Sequence, residues 1–153
     1  PIEPSEVTVA SASSNRGDFP LSVVLNDDSR SWWISQRGSM PNGRGEVFLQ
    51  FQLSKDHTLR RIARLYIRLP PLPFGPLSVR EFRIDFSCDG GKVWKRGATL
   101  FRAASISKKQ EFHLPLMDAT DVRLVCLSNQ LSAFESSQYS SYNSVGLYSV
   151  QWR

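Results

Sequence analysis

The fold is decided by an alternating stretch of the chain, Val47-Phe48-Leu49-Gln50-Phe51-Gln52-Leu53. Every odd-numbered position in it is apolar, and two of the three even-numbered positions are glutamine. Successive side chains of a β-strand point to opposite faces of the sheet, so this pattern supplies one face for a core. The stretch therefore predicts a strand that is buried on one side.

The same alternation recurs along the chain. In Ala63–Leu69 the odd positions are again apolar, and Phe82–Phe86 and Val122–Cys126 follow the same pattern. Weaker strand candidates are Val7–Ala12, Thr99–Ala104, Glu111–Leu116 and Val145–Trp152. No stretch of helical length keeps the apolar spacing of three and four that an amphipathic helix requires. The sequence thus predicts about eight strands and no principal helix.

Turn-forming residues separate these strands. They lie at Asn15–Asp18, Pro41–Gly45, Pro70–Pro76 and Asp89–Gly91. Many short strands divided in this way are typical of an antiparallel all-β sandwich or jelly roll. A length of 153 residues suits one such domain, so residues 1–153 are predicted to form a single β-sandwich domain.

The charge of the chain points to a class of partner. Nineteen basic against fourteen acidic residues give a formal net charge of +5. Such an excess favours polyanions, among them phospholipid headgroups, sulfated glycans and nucleic acid. A mildly basic, solubilising surface explains the same excess, and both interpretations stay open.

Residues for catalysis are scarce. His57 and His113 are the only histidines, and neither lies in a G-x-S-x-G context or beside a cluster of metal ligands. The sequence predicts neither an enzyme nor a cofactor. Cys88 and Cys126 lack the C-x-x-C spacing of a zinc site, and two buried free thiols are predicted, with a single bridge as the alternative.

A series of landmarks runs through nearly the whole chain. The most specific is Phe86–Trp94, a strand that ends in Ser-x-Asp-Gly and is followed by a tryptophan. Ala10–Ser13 and Trp32-Trp33 precede it, whereas Asp121–Leu124 and Gly146–Val150 follow it. In this order they resemble the discoidin-like domains, also called coagulation-factor C-type domains, of the galactose-binding-like jelly rolls. The resemblance implies that Trp94 folds back over the sandwich.

The resemblance also implies binding through three loops at one end of the sandwich, at Asn15–Phe19, Ser35–Gly45 and Pro70–Pro76. The candidate ligand-binding residues are Arg16, Phe19, Arg37, Met40, Asn42, Arg44, Leu72 and Phe74. If the ligand is a membrane, the apolar loop tips enter its interface while the arginines bind anionic headgroups. If the ligand is a sugar, an aromatic ring covers its apolar face while Arg or Asn side chains bond to its hydroxyl groups. The alternative that Phe19 and Phe74 fold onto the core stays open.

Two departures from the family pattern bear on metal binding and on location. Some members hold calcium, and Asn26, Asp27 and Asp28 match part of that site; Tyr148-Ser149, however, stands where a glutamate would complete it. Because calcium takes six to eight oxygen ligands, the calcium site is left incomplete. The cysteines near both termini that close many extracellular members are also missing, which weakens the expectation of an extracellular or cell-surface protein and leaves an intracellular one open.

The predicted function is that of a non-enzymatic recognition module, part of a larger chain, that binds a glycan or an anionic membrane. The alternative is an adaptor domain that docks a protein partner through a sheet face. The stripe of Arg64, Tyr66 and Arg68, which Arg60 would extend, is interpreted as one solvated face rather than a nucleic-acid site, and no specific nucleic acid is expected. Arg16-Gly17-Asp18 matches a tripeptide that adhesion receptors recognise, but such a match is common by chance.

Overall fold

The computed structural model describes residues 6–13, 21–25, 33–35, 47–70, 77–130 and 145–153. In these ranges a 3-10 helix, Leu21–Leu25, accompanies ten strands. The strands are β1 (Thr8–Ala12), β2 (Trp33–Ile34), β3 (Val47–Gln52), β4 (Arg60–Arg68), β5 (Glu81–Ser87), β6 (Phe101–Arg102), β7 (Gln110–Ala119), β8 (Asp121–Cys126), β9 (Gly146–Leu147) and β10 (Ser149–Trp152). Within the same ranges, no helix has the length and apolar character needed to cross a membrane.

The strands form two principal sheets and a small ribbon. The large sheet has the order β1-β3-β8-β5-β6, the small sheet has the order β10-β4-β7, and β2 pairs with β9. All of these ladders are antiparallel. The prediction of an antiparallel all-β sandwich of the jelly-roll type is confirmed.

The core lies between the two sheets. In β3, Val47, Leu49 and Phe51 are buried while the alternate residues are half-buried, as the sequence pattern predicts. The ring of Phe51 meets the ring of Trp152 from the small sheet edge to face, with centroids 5.3 Å apart. Burying such apolar side chains between the sheets stabilises the fold by roughly 1.5–3 kcal/mol for each one.

The alternation breaks once, in β4. Ala63 was predicted to face the core, but Ile62 is buried there and Ala63 is only half-buried. The register against β7 shifts between Ile62 and Arg64, and the backbone amides of Ala63 and Arg64 both donate to the Arg153 carbonyl, each at 2.8 Å. This is a β-bulge, in which Ala63 is one extra residue without a partner in β7. Before the bulge the even-numbered Ile62 faces the core, and after it the odd-numbered Leu65 and Ile67 do.

The bulge also alters the predicted basic stripe on the outer face of the small sheet. Arg61, rather than Arg60, is exposed on the same face of β4 as Arg64. Arg60 forms an ion pair instead with Glu6, just before β1, at 2.8 Å. Arg61 bonds Asp118 at 2.9 Å, and Arg64 lies 3.4 Å from Glu111. The inclusion of Arg60 in the stripe was therefore wrong, and the face carries paired rather than uncompensated arginines.

Both cysteines are free thiols, as predicted, but only one of them is buried. Cys126 ends β8 inside the core, and burial raises the pKa of its thiol. Cys88 is exposed, contrary to the prediction, because it follows the last residue of β5 and has left the sheet. Its thiol donates to the carbonyl oxygen of Asp118 at 3.3 Å.

Candidate functional site

One end of the sandwich collects the residues that lead into and out of the three predicted loops. We call this end the loop pole and define it by Ser13, Ser35, Val47, Pro70 and Ser78. Each of these residues borders a loop or lies one position away from its border. Their mutual contacts show how the sheets hold the loop ends together.

The first contact fixes the start of the first loop beside the end of the second. The backbone amide of Ser13 donates to the Phe48 carbonyl at 3.0 Å, and the Phe48 amide donates to the Ser13 hydroxyl oxygen at 2.8 Å. Ser13 directly follows β1, and Phe48 is the second residue of β3. The pairing of β1 with β3 therefore brings the start of the first loop and the end of the second side by side.

The second contact fixes the start of the second loop. The amide of Ser35 donates to the Val145 carbonyl, and the Val145 amide donates to the Ser35 hydroxyl oxygen, both at 2.9 Å. Ser35 is fully buried. Its hydroxyl takes the place of a strand partner, which fastens the entry to residues 36–46 against the exit from residues 131–144.

The two ends of the third loop, Pro70 and Ser78, lie at the same point beside Gly146. Ser78 bridges to Gly146, and the amide of Val79 donates to the Gly146 carbonyl at 3.0 Å. A Cβ at position 146 would lie 3.0 Å from the carbonyl oxygen of Trp33 and 3.5 Å from Cγ of Pro70. Only glycine permits this approach without a shift of the neighbours, so the ends of the second and third loops meet across it.

Gln130, which directly precedes the segment 131–144, adds further hydrogen bonds at this end of the sandwich. Its backbone amide donates to the Ser78 carbonyl at 2.9 Å. Its buried side-chain nitrogen donates to the carbonyls of Val79 and Ala103, each at 3.0 Å. A buried polar group satisfied in this way holds its neighbours in one geometry. The loop pole is thus held together by hydrogen bonds between the loop ends, and those of Ser35 and Gln130 are buried.

Sequence reasoning did not single out Ser35, Gln130 or Gly146. Nothing in the sequence distinguishes this serine and glutamine from surface residues, because their burial arises from contacts distant in the chain. A glycine inside the strand-like stretch Val145–Trp152 does carry a signal, since it marks a close backbone approach.

All eight candidate ligand-binding residues lie outside the described residues, as do Asn26, Asp27 and Asp28 and the tripeptide Arg16-Gly17-Asp18. Their roles remain predictions. Tyr148 and Ser149, which stand where the family's calcium glutamate is expected, are both buried. Across the described ranges, no group of three or more His, Cys, Asp or Glu residues is arranged to hold a metal.

The opposite end of the sandwich carries the Ser-x-Asp-Gly turn. The carboxylate of Asp89 accepts hydrogen bonds from the Ser87 hydroxyl at 2.7 Å and from the amides of Lys92 and Val93 at 3.1 and 3.0 Å. Gly90 has the positive φ of 76° that the turn requires. The amide of Val93, followed by the Ser87 hydroxyl, lowers the pKa of Asp89.

Trp94 folds from this turn onto the outer face of the large sheet, as the resemblance implied. Its indole nitrogen donates to the Gly91 carbonyl at 2.9 Å. The guanidinium carbon of Arg123 lies 4.0 Å from the ring centre of Trp94 and 4.3 Å from that of Phe48. Trp33 and Trp152 are buried.

The comparison with known proteins gives different results for the sequence and for the fold. No family model matches the chain, and no curated protein matches its sequence. Solved structures do match. The F5/8 type C domain of a Bacteroides fragilis protein superposes with a TM-score of 0.73 at 12% identity, over 99% of this chain and 93% of that one. The chain has the discoidin-like fold.

Two carbohydrate-binding modules share this discoidin-like fold. The family 32 module of Clostridium perfringens NanJ, solved with galactose, has a TM-score of 0.72 at 14% identity over 99% of this chain and 96% of that one. Another family 32 module from Clostridium perfringens, solved with GalNAc-β-1,3-galactose, has a TM-score of 0.73 at 11% identity over 99% and 97%. At these identities the agreement is one of fold.

Proposed function

We propose that this discoidin-like domain is a non-catalytic module that binds a glycan at the loop pole. The observation that carries the proposal is the convergence of the loop ends: Ser13 on Phe48, Ser35 on Val145, and Ser78 and Pro70 at Gly146. A rigid frame that holds several irregular segments at one end can present side chains to one ligand at low entropic cost.

The carbohydrate-binding modules with this fold support a glycan as the ligand. They were solved with galactose and with GalNAc-β-1,3-galactose, and the family 32 module of AlyQ was solved with 4,5-unsaturated mannuronic acid. We therefore propose a glycan carrying galactose or a related sugar, and with it an extracellular or cell-surface location. An anionic membrane bound through the same three loops is the other outcome that the experiments below distinguish.

The chemistry of the proposed site follows from the candidate residues. An aromatic ring, Phe19 or Phe74, covers the apolar face of a sugar, while Arg37, Arg44 and Asn42 supply donors for its hydroxyl groups. Such contacts are weakly sensitive to ionic strength, whereas attraction to anionic headgroups falls steeply as salt is added. Salt dependence therefore separates sugar binding from membrane binding.

The test is a glycan array followed by calorimetry with the best-bound sugar. We expect Phe74→Ala and Arg44→Ala each to weaken binding about tenfold, which corresponds to the loss of one stacking or hydrogen-bonding contact. Leu59→Ala is the matched control, because Leu59 is an exposed apolar residue at the opposite end of the sandwich. It should bind the glycan as the unchanged protein does.

Either of two results would overturn the proposal. One is the absence of saturable binding to any arrayed glycan, and the other is an affinity that neither loop substitution alters. Recovery of a defined protein partner together with the first result would favour the adaptor alternative.

A further inference from the structure

The positive charge of the protein is concentrated in one segment. Residues 92–109, which we call the basic edge, contain six cations and no aspartate or glutamate. Because the whole chain carries a net charge of +5, everything outside the basic edge carries a net charge of −1. The six cations are Lys92, Lys95, Arg96, Arg102, Lys108 and Lys109.

The basic edge runs along one side of the sandwich. Lys95 exchanges two backbone hydrogen bonds with Phe86 in β5, at 3.0 and 2.8 Å. β6 then pairs with the first residues of β5 as the outermost strand of the large sheet. Beyond it, the backbone of Ala104 bonds the side chain of Gln110, the first residue of β7, at 2.8 and 2.9 Å. The segment thus spans the side from the Asp89 turn to the loop pole.

The cations of the basic edge are available to a partner. All six are exposed. Nearby carboxylates are engaged elsewhere: Asp85 by Arg83 at 2.9 Å, and Glu111 and Asp118 by arginines of β4. Arg102 lies 3.9 Å from Glu81, and the other five form no ion pair with any carboxylate in the described part of the chain.

Exposed apolar side chains alternate with these cations. Val93, Leu100 and Ile106 are 63%, 57% and 48% exposed. A dissolved polyanion would be held by the cations alone and would gain little from these residues. A bilayer offers both anionic headgroups and an apolar boundary, so it satisfies the two kinds of side chain together.

We propose that the basic edge is a second binding surface, separate from the loop pole, that docks the domain on a bilayer rich in anionic phospholipid. Its cations attract the headgroups, and Val93, Leu100 and Ile106 enter the interfacial layer. The glycan site at one end and the membrane surface along one side then bind independently of each other.

The experiment measures co-sedimentation with vesicles of pure phosphatidylcholine and of phosphatidylcholine mixed with phosphatidylserine. We expect binding to the mixed vesicles alone, falling steeply with added salt. A variant with Lys92→Gln, Lys95→Gln and Arg96→Gln should bind them about a hundredfold more weakly. A control variant with Lys55→Glu and Arg153→Gln lowers the net charge by the same three units at exposed residues outside the basic edge, and it should retain most of the binding.

Leu100→Ser distinguishes a bilayer from a soluble polyanion. It should weaken vesicle binding severalfold while leaving binding to a sulfated polysaccharide unchanged. The proposal is overturned if the two charge variants bind vesicles equally, if Phe74→Ala abolishes vesicle binding, or if Leu100→Ser has no effect on it. Glycan affinity should be the same in both charge variants, so failure of the glycan proposal and failure of this one are separate results.

Discussion

Replacing Gly97 by alanine tests whether the basic edge is held to the large sheet by direct backbone contact. A Cβ at this position would lie 2.0 Å from the carbonyl oxygen of Ile84 in β5. The backbone of Gly97 is not in the left-handed region, so the contact, and not φ, excludes a side chain. The segment would have to retreat by about 1 Å before this contact became even 3.0 Å.

The magnitude follows from what that retreat disrupts. Forcing a methyl group into a filled space costs about 1–3 kcal/mol. The retreat also strains the hydrogen bond from the Gly97 amide to the Asp85 carboxylate, 3.0 Å long, and the two between Lys95 and Phe86. Alanine also restricts the unfolded chain, which raises the unfolding free energy by only about 0.4–1 kcal/mol. We expect a net destabilisation of about 2–3 kcal/mol, or a Tm lower by roughly 5–10 °C.

The assay is urea unfolding followed by tryptophan fluorescence, with amide exchange at Lys95 as a local readout. Ala98→Gly is the control, since it removes one methyl group at the neighbouring, exposed position and should lower the unfolding free energy only by the roughly 0.4–1 kcal/mol that comes from added freedom of the unfolded chain. An unfolding free energy for Gly97→Ala equal to that of the unchanged protein, with amide exchange at Lys95 no faster, would refute the reasoning.

Three further outcomes are expected. Gly146→Ala, whose Cβ would lie 3.0 Å from a backbone oxygen of β2, should weaken glycan binding severalfold in calorimetry, and an unaltered affinity would contradict the role given to Gly146. Trp94→Leu and Arg123→Met should show a coupling of about 1 kcal/mol in a double-mutant cycle, because the guanidinium stacks on the indole; additive effects would argue against that contact. The folded protein holds the pKa of Asp89 below its ordinary value, so its charge stabilises the fold above pH of about 4 and this contribution is lost as pH falls. The stability gap between the protein and Asp89→Asn should close on acidification, and a gap independent of pH would show that the charge is not involved.

The sequence by itself determined the faces of the principal strands and the Asp89 turn. In β3 and β8 the apolar side chains that alternate along the strand are the ones that pack in the core, because the period of two is a property of each extended backbone. The turn was recognisable since Asp and Gly act on their own neighbours within a few residues. The same local pattern led to the all-β sandwich, which the structure confirms.

Only the tertiary structure decided the features that depend on a distant partner. The bulge between Ile62 and Arg64 arises where β4 meets both β7 and Arg153, and no local pattern records it. β2 has two residues and is a strand only because β9 lies beside it. In the same way, the loop pole exists because Ser35 bonds Val145 and Val79 bonds Gly146, pairs whose members are far apart along the chain. The basic edge is one surface because its backbone pairs with β5. Alternation is encoded residue by residue, whereas pairing depends on which segments meet.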